Sequence, residues 1–280
     1  MVRQRFLEIL KRAGIYYRLK ASSVYDLYLW LANSQQIYER DQEVGFYRSV
    51  LNGLKRADLI FDIGANVGDK TDIFLRAGAR VVAVEPDDRN QAILRERFLR
   101  HRLAAKPVTI VGKAVSASCG VEAMWVDGPG SAFNTLSQKW VDALKGDKKR
   151  FEHTSDALEF RETRAVATTT LEHLMDTYGL PLFVKIDVEG FELNVLQGLR
   201  RSVPYLSFEV NLPEFRREGR QCIEILGGLA PRGQFNYTYD CKNGLALESW
   251  LDLSPFSQVF DRCDERCIEV FWRTPKAIST

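Results

Sequence analysis

Residues 58–71 read DLIFDIGANVGDKT, and this stretch decides the fold. It joins a short apolar run, Leu59 to Ile63, to a glycine-containing loop and then to a helical pattern that begins at Asp69. Apolar runs of this length are typical of parallel strands buried on both faces of a sheet. The glycines let the backbone turn sharply after the strand, so a bound ligand would meet outward-facing amides at the helix N-terminus.

Outward from this stretch, strands and helices alternate in the order βαβαβ. The pattern predicts further strands at 81–85, 108–111, 182–187 and 206–210, with helices at 69–77, 87–101 and 191–199. Asp87 or Asp88 is expected to cap the second of these helices. The sequence therefore predicts an α/β fold of Rossmann type, a mostly parallel sheet with helices on both faces.

Two regions lie outside this alternation. Residues 1–54 have helical spacing and predict an N-terminal helical extension, which leaves 55–280 as the main domain. An insertion at about 117–170 separates the third and fourth strands, with strands expected at 120–126 and 164–169. The charged stretch from Lys145 to Arg164 within it is expected to form a mobile cover.

The C-terminal part predicts antiparallel additions at the sheet edge. A hairpin is expected with strands at 235–239 and 245–247, because Asn243 and Gly244 between them are typical of a tight turn. The last strand is expected at 267–272.

Composition excludes several classes of function. The net charge is only +2, so nucleic-acid binding is not expected. Five scattered cysteines and the lack of an apolar run long enough to span a bilayer favour a cytoplasmic protein without a membrane span. Residues 1–20 hold six basic side chains against one acidic. This basic segment is expected to pack on its own domain or on a second subunit as a homodimer contact, with a membrane surface as the alternative.

The ends of the first two strands point to an adenosine cofactor. Glu85 ends the second strand and Pro86 stops the ladder, so the Glu85 carboxylate should bind a ribose diol. A dinucleotide site uses three closely spaced glycines in its first loop, and this loop has only Gly64 and Gly68. The carboxylate of Asp62 would suit a cation. S-adenosyl-L-methionine, which carries an ammonium and a sulfonium, therefore fits better than a pyrophosphate-bearing cofactor.

The fourth strand carries the candidate catalytic residues. Lys185 and Asp187 share one face of it, and Asp187 lies at the carboxyl end, where ligands bind in such sheets. A buried Lys185 should pair with a carboxylate. We favour a role in which Lys185 orients acidic side chains over one in which it is a base of lowered pKa. Asp187 is the first candidate to take a proton from an acceptor, and Glu209, near the end of the next strand, is the second.

Three segments together resemble the FkbM family of S-adenosylmethionine-dependent methyltransferases: FDIGANVGDKT, VAVEP and KIDVEGFELNVLQG. The resemblance covers about residues 58–273 and implies a class I methyltransferase fold with a seven-stranded sheet. It also implies cofactor-binding positions at Asp62, Gly64, Ala65, Asn66, Gly68, Thr71, Glu85, Pro86 and Asp187, with Ala114, Val115 and Ser116 beside the adenine.

The activity that the resemblance implies is O-methylation of a hydroxyl on a sugar, glycan or other natural product. An N-methyltransferase on the same fold and a nicotinamide-dependent oxidoreductase remain as alternatives. No metal is required for methyl transfer, although Asp187 and Glu209 could hold one.

Overall fold

The computed structural model describes residues 33–99, 108–146 and 160–275, together with Tyr16, His101 and Leu158. The strands are β1 (Leu59–Ile63), β2 (Arg80–Val84), β3 (Val108–Val111), β4 (Ala114–Val115), β5 (Gly120–Val126), β6 (Glu162–Thr169), β7 (Phe183–Ile186), β8 (Tyr205–Asn211), β9 (Gln234–Thr238), β10 (Leu251–Asp252) and β11 (Cys267–Arg273). The helices are α1 (Ser34–Val50), α2 (Asp69–Arg76), α3 (Asp88–Arg97), α4 (Gln138–Gly146), α5 (Leu171–Tyr178), α6 (Glu192–Gln197), α7 (Arg216–Leu229) and α8 (Leu253–Asp261).

The main sheet has the strand order β10-β9-β11-β8-β7-β1-β2-β3. The strands β3, β2, β1, β7 and β8 are parallel, whereas β11 runs antiparallel to both β8 and β9. These are the seven strands that the sequence led us to expect, and the two-residue β10 adds an edge. The α/β fold of Rossmann type is therefore confirmed.

The direction in which the chain builds the sheet reverses at β1. From β1 the chain moves outward to β2 and β3, and it later returns to place β7 on the other side of β1. In register, Asp62 of β1 lies beside Lys185 of β7. Ligands of open α/β sheets bind at such a reversal, outside the carboxyl ends of the strands.

Helix α1 packs on one face of this sheet through an aromatic cluster. The fully buried Tyr47 meets Phe74 of α2 edge-on at 4.9 Å between ring centroids, while Phe183 and Phe271 stack at 6.2 Å beneath it. Part of the expected N-terminal extension thus contributes to the core. The basic segment 1–20 lies outside the described residues except for Tyr16, and the division at residue 54 stays a prediction.

The insertion builds a second, three-stranded sheet in the order β4-β6-β5. Strand β5 has the predicted bounds, and β6 begins two residues before the predicted Arg164. Most of the charged stretch expected as a cover, residues 147–157 and 159, lies outside the described residues. Helix α4, which the sequence analysis did not predict, follows β5 along the chain.

The predicted hairpin around Asn243 and Gly244 is only half right. Strand β9 forms, but residues 245–247 are not a strand, and β9 instead pairs with β10 further along the chain. The reason is the side chain of Asn236, which accepts a hydrogen bond from the N–H of Leu247 at 3.2 Å and donates one to its carbonyl at 3.0 Å. The side-chain amide thus takes the place of backbone pairing at Leu247, while the N–H of Ala246 still donates to the carbonyl of Tyr237 at 2.8 Å.

Other predicted features can be compared directly with the structure. Asp87 caps α3, accepting hydrogen bonds from the N–H groups of Arg89 and Asn90 at 2.9 and 3.0 Å, but the helix ends at Arg97 rather than His101. Cysteines 119, 222, 241, 263 and 267 are all free thiols. Within the described part of the chain, each helix is too short or too polar to cross a bilayer.

Candidate active site

The loop after β1 lies directly against the end of β7. Gly64 has a φ of +83°, and a Cβ added there would lie 1.7 Å from the carbonyl oxygen of Asp187. Glycine is the residue that permits both this φ and this approach. The N–H of Asp187 in turn donates to the carbonyl of Ile63 at 2.9 Å. The structure therefore brings the predicted site residues Gly64 and Asp187 together at the sheet reversal.

Four backbone amides of this loop donate hydrogen bonds within the protein, so these four do not face outward as expected. The N–H groups of Gly64 and Ala65 both donate to the carbonyl of Val84 at 3.0 Å, and the N–H of Gly68 donates to Ala65 at 2.8 Å. The N–H of Asn66 donates to a carboxylate oxygen of Glu85 at 2.8 Å. These hydrogen bonds hold the loop against the end of β2. Strands β1 and β2 therefore end at the same edge of the sheet, where the cleft lies.

Glu85 lies at the carboxyl end of β2, as predicted, and is 6% exposed. Its second carboxylate oxygen accepts the N–H of Asp87 at 2.8 Å. Burial raises the pKa of Glu85 to about 7, although the hydrogen bonds from Asp87 and Asn66 oppose the shift. A carboxylate can accept about four hydrogen bonds, so two backbone donors leave capacity for a diol.

Asp62, Thr71 and Ser116 are turned away from the cleft. Thr71 donates a 2.5 Å hydrogen bond to Asp62, which is 1% exposed beneath the loop. Burial raises the pKa of Asp62, while the nearby charge of Lys185 lowers it. Ser116 is buried in the second sheet and donates to Glu122 at 2.5 Å. The sequence analysis predicted that these residues contact a cofactor, whereas the hydrogen bonds seen here favour structural support of the site.

A cleft of about 710 Å³, its open mouth included, lies along the carboxyl edge of β1, β2 and β7. It is lined by the predicted residues Gly64, Asn66, Glu85, Pro86, Ala114, Val115 and Asp187. It is also lined by Asn90, Lys113 and Asn134, which the sequence analysis missed because no motif marks them. Ala65 and Gly68 are not among the described residues that line it.

Lys185 pairs with a carboxylate, as predicted, and that carboxylate is Asp187. Its Nζ donates to Asp187 at 2.7 Å, and the lysine is 2% exposed. Burial alone would lower the pKa of Lys185, but the negative charges of Asp187, Glu269 and Asp62 raise it well above its ordinary value. These contacts favour a fixed cation that orients Asp187 over a base of lowered pKa.

Three carboxylates converge beyond Asp187. Oxygens of Asp187, Glu189 and Glu209 all lie within 4.8 Å of one another. Glu209 accepts a hydrogen bond from the side chain of Asn211 at 3.0 Å. Burial raises the pKa of Glu209 to about 8, and the charge of Asp187 adds to the shift. Burial and the charge of Glu209 likewise raise the pKa of Glu189 well above its ordinary value. Asp187 and Glu189 line the cleft, and Glu209 is not among the described residues that line it. The three carboxyl groups together can hold a proton near neutral pH, and their geometry would also admit a metal ion.

The insertion closes the cleft from above through a segment we call the roof, residues 127–140. The side chain of Asn134 donates to Asp87 at 3.2 Å on the Glu85 side. On the other side Thr135 donates to the carbonyl of Glu189 at 2.7 Å, and the indole of Trp140 donates to its carboxylate at 2.9 Å. The roof thus bridges the two ends of the site. Sequence reasoning placed a cover in this insertion but not these residues.

The sheet is doubly wound, an acid lies at the end of its second strand, and a cleft bounded by a glycine lies where the strand order reverses. These features define a nucleoside-binding α/β protein. Residues 62–239 match the model of the methyltransferase FkbM domain, so the chain belongs to the FkbM family of methyltransferases. The protein is therefore an S-adenosylmethionine-dependent methyltransferase. The alternative of a nicotinamide-dependent oxidoreductase does not hold for a member of this family.

Solved structures similar to this chain are methyltransferases as well. Precorrin-6y C5,15-methyltransferase from Geobacter metallireducens is 10% identical, covering 84% of this chain and 86% of its own, at a TM-score of 0.37. The plantazolicin methyltransferase BpumL, in complex with SAH, is 10% identical over 96% and 98%, at 0.40. An O-methyltransferase from Thermotoga maritima is 11% identical over 83% of this chain and 64% of its own, at 0.38. Curated protein sequences gave no match. Similarities this remote say nothing about the acceptor.

The residues of the cleft fit S-adenosylmethionine. Glu85 has acceptor capacity left for ribose hydroxyls, and the apolar side chains of Val115 and Phe191 line the cleft between its two ends. Lys113 and Asn90 add polar groups on the Glu85 side. The Asp187 end is acidic, which suits the positive charge of a sulfonium.

Proposed function

We propose that this protein transfers a methyl group to a hydroxyl of a sugar, glycan or other natural product. The observation that carries the proposal is the convergence of Asp187, Glu189 and Glu209 within 4.8 Å, beside the loop at Gly64. Carboxyl groups at this place can bind hydroxyl hydrogens and accept the proton that an alcohol must lose.

S-adenosylmethionine, when bound, supplies a methyl group activated by its sulfonium. The work left to the chain is to align the acceptor, exclude water and take a proton. Alignment of reacting groups can contribute roughly 7–11 kcal/mol. The roof residues Thr135 and Trp140, which contact Glu189, support the exclusion of water at the acceptor end.

Glu209 is the better candidate for the base. Asp187 was expected to rank first, but one of its oxygens already accepts a hydrogen bond from the Lys185 ammonium at 2.7 Å. Glu209 has a pKa raised to about 8, close to the pH at which it must exchange a proton. We therefore assign Glu209 as the base and Asp187 as the group that orients the acceptor and faces the sulfonium. General base catalysis of this kind contributes about 100- to 10,000-fold.

N-methylation is a second candidate, and the same acidic cluster favours it. An amine acceptor arrives as an ammonium, which three nearby carboxylates would attract and desolvate. Binding a cation would ionise both Glu189 and Glu209, so a proton would be released when the acceptor binds.

The experiment that tests the proposal is a transfer assay with S-adenosylmethionine carrying a ¹³C-labelled methyl group. The full-length protein is offered matched glycosides and amino sugars. We expect label in an O–CH₃ group, identified by the methyl carbon shift of the product, and label in an N–CH₃ group would overturn the assignment in favour of the second candidate. The Glu209→Gln variant should lose about 100-fold or more in turnover while binding S-adenosylhomocysteine normally.

We also propose a cellular location and an oligomeric state. Free, scattered thiols support a cytoplasmic location. A homodimer through the N-terminal helices rests on the basic segment 1–20 and would be tested by light scattering on the full chain.

A further inference from the structure

The loop after β1, which lines the cofactor cleft, packs on the C-terminal half of helix α3. Gly68 of this loop has a φ of +86°, and a Cβ added there would lie 2.5 Å from the ring of Phe98 and 2.7 Å from the side chain of Leu94. Ala65 of the loop belongs to the same buried cluster as these two side chains. The loop therefore faces the cleft on one side and α3 on the other.

Arg97, the last residue of α3, forms hydrogen bonds to this loop. Its Nη1 donates to the carbonyl of Val67 at 2.8 Å and to the carboxylate of Asp69, the first residue of α2, at 2.7 Å. Hydrogen bonds from a charged donor are stronger than those between neutral groups. One nitrogen makes both bonds, so Arg97 joins the loop to the start of α2 at a single point.

Stability alone does not account for a guanidinium at this place. The side chain of Arg97 is 3% exposed, whereas its charge partner Asp69 is 62% exposed. Its Nε is buried and has no hydrogen-bond partner in the part of the chain that the structure describes. Burying a charge with incomplete compensation costs free energy, and a well-packed apolar side chain is often at least as stabilising. The hydrogen bond to the loop is what distinguishes Arg97 from an apolar residue of the same length.

The part of the loop that Arg97 contacts also orients the Glu85 carboxylate. Asn66, directly before Val67, has a φ of +48°, a conformation that residues other than glycine seldom adopt. Its N–H donates to Glu85 at 2.8 Å. A strained turn persists only where its surroundings fix it, and Arg97 fixes this one at the Val67 carbonyl. A series of contacts thus leads from Arg97 through the loop to Glu85.

We propose that Arg97 is a positioning residue for the cofactor: its guanidinium fixes the loop after β1, so that the N–H of Asn66 holds the Glu85 carboxylate in the orientation that binds the ribose of S-adenosylmethionine. Arg97 acts through the loop, since it is not among the described residues that line the cleft. Support of this kind determines how narrowly a binding group is held. The proposal holds whichever acceptor is methylated, so the labelled-methyl assay can fail without it.

The first test is isothermal titration calorimetry of the full-length protein with S-adenosylhomocysteine. Arg97→Met keeps the length of the side chain and removes its donors. We expect about tenfold weaker binding, as for the loss of a hydrogen bond from a charged group. Arg97→Lys should recover affinity, because one nitrogen makes both bonds and an ammonium can replace it. Wild-type affinity in Arg97→Met, or no recovery in Arg97→Lys, would overturn the proposal.

A matched control is Arg95→Met. Arg95 lies on the same helix, is exposed, and donates to the side chain of Gln91 at 2.9 Å. The variant therefore removes the same charge from α3 and leaves the bonds to the loop in place. We expect its affinity for S-adenosylhomocysteine to equal that of the wild type. A loss as large as that of Arg97→Met would assign the effect to charge, and the proposal would be wrong.

Amide hydrogen exchange of the ligand-free protein, followed by NMR, distinguishes positioning of the loop from general loosening. In Arg97→Met we expect the N–H of Asn66 to exchange about tenfold faster than in the wild type. The N–H of Phe61, in the middle of β1, should exchange at the wild-type rate. Equal acceleration at both positions, or none at Asn66, would contradict the proposal.

Should Arg97→Met fail to fold, a measurement on the wild type decides. Arg97→Lys identifies the Arg97 Nε signal in the NMR spectrum by its loss. Titration of the wild type with S-adenosylhomocysteine should shift this signal together with the amide signal of Asn66, because the loop connects the two groups. An Nε signal that stays in place while the Asn66 signal moves would exclude the proposed role of Arg97.

Discussion

At Glu85, burial and hydrogen bonding shift the pKa in opposite directions. Burial raises its pKa to about 7, and the hydrogen bonds from the N–H groups of Asp87 and Asn66 limit the rise. The free protein therefore holds Glu85 partly protonated near neutral pH. A protonated carboxyl group can accept fewer hydrogen bonds from the ribose hydroxyls than an ionised one, so cofactor binding favours the ionised form.

This opposition predicts a pH dependence of cofactor affinity. Because the pKa of Glu85 in the free protein is about 7, affinity for S-adenosylhomocysteine should rise as pH increases from 6 to 8 and level off above that range. Glu85→Gln should weaken binding at pH 8 by about 10- to 100-fold, the loss of hydrogen bonds to a charged group, and should flatten the pH dependence. Isothermal titration calorimetry at several pH values measures both effects.

The control for this experiment is Asp88→Asn, an exposed acid three residues further along. It should leave affinity and its pH dependence unchanged. A wild-type affinity that does not vary between pH 6 and 8 would contradict the link between Glu85 and the cofactor.

At the scale of elements, the contact between the β1 loop and the end of β7 determines the shape of the cleft. Gly64 permits it, and Asp187 supplies the carbonyl that a side chain at position 64 would strike. Two strands that meet this closely cannot both keep their register if a methyl group is added. The cofactor side and the acceptor side of the site therefore depend on one another through this point.

Gly64→Ala and Gly244→Ala form a matched pair that tests this dependence. Both glycines have positive φ, +83° and +88°, but an added Cβ strikes Asp187 in the first case and has nothing within 4 Å in the second. Gly244→Ala should lose about 1–3 kcal/mol of unfolding free energy from backbone strain alone. Gly64→Ala should lose more, and its S-adenosylhomocysteine affinity should also fall. Urea unfolding and calorimetry measure these changes, and equal losses in the two variants would show that the close approach does not matter.

The strands that form the site could be predicted because each is a short apolar run ended by a polar residue. Glu85 and Asp187 were predicted at strand ends for this reason, and both line the cleft. Asp62 belongs to an equally clear motif, yet it faces away, since a motif does not show which side of a strand the ligand occupies. Ser116, which was expected beside the adenine, also faces away. The direction of a side chain at a strand end depends on neighbouring strands that are distant in sequence.

The roof could not be predicted in the same way. Trp140 and Thr135 reach Glu189 across 49 and 54 residues, and neither lies in a recognisable pattern. The wrong prediction of a strand at 245–247 has a related cause. The turn residues predicted backbone hydrogen bonds there, whereas the Asn236 side chain makes hydrogen bonds to the backbone of Leu247. Long-range side-chain contacts such as these follow from packing and not from periodicity.

At the scale of the whole molecule, the aromatic cluster unites α1 with the sheet. Tyr47 packs on Phe74, and its hydroxyl lies 3.5 Å from the thiol of Cys241, which follows β9 in the chain. Phe183 lies beneath it on β7, two residues before Lys185. The sheet face that α1 covers therefore lies next to Lys185, which contacts Asp187. We expect that loss of α1 would disturb the active site.

This arrangement predicts that residues before position 55 are required for stability. Tyr47→Ala should cost about 3–5 kcal/mol of unfolding free energy, as for other buried aromatic residues, whereas Tyr47→Phe, which removes only the hydroxyl, should cost less than about 1.5 kcal/mol. Tyr38 lies on the same helix and is 59% exposed, so Tyr38→Ala should stay within about 0.5 kcal/mol of the wild type. Urea unfolding of the three variants measures the differences. A Tyr47→Ala variant as stable as Tyr38→Ala would mean that α1 is an appendage, and that the domain does begin near residue 55.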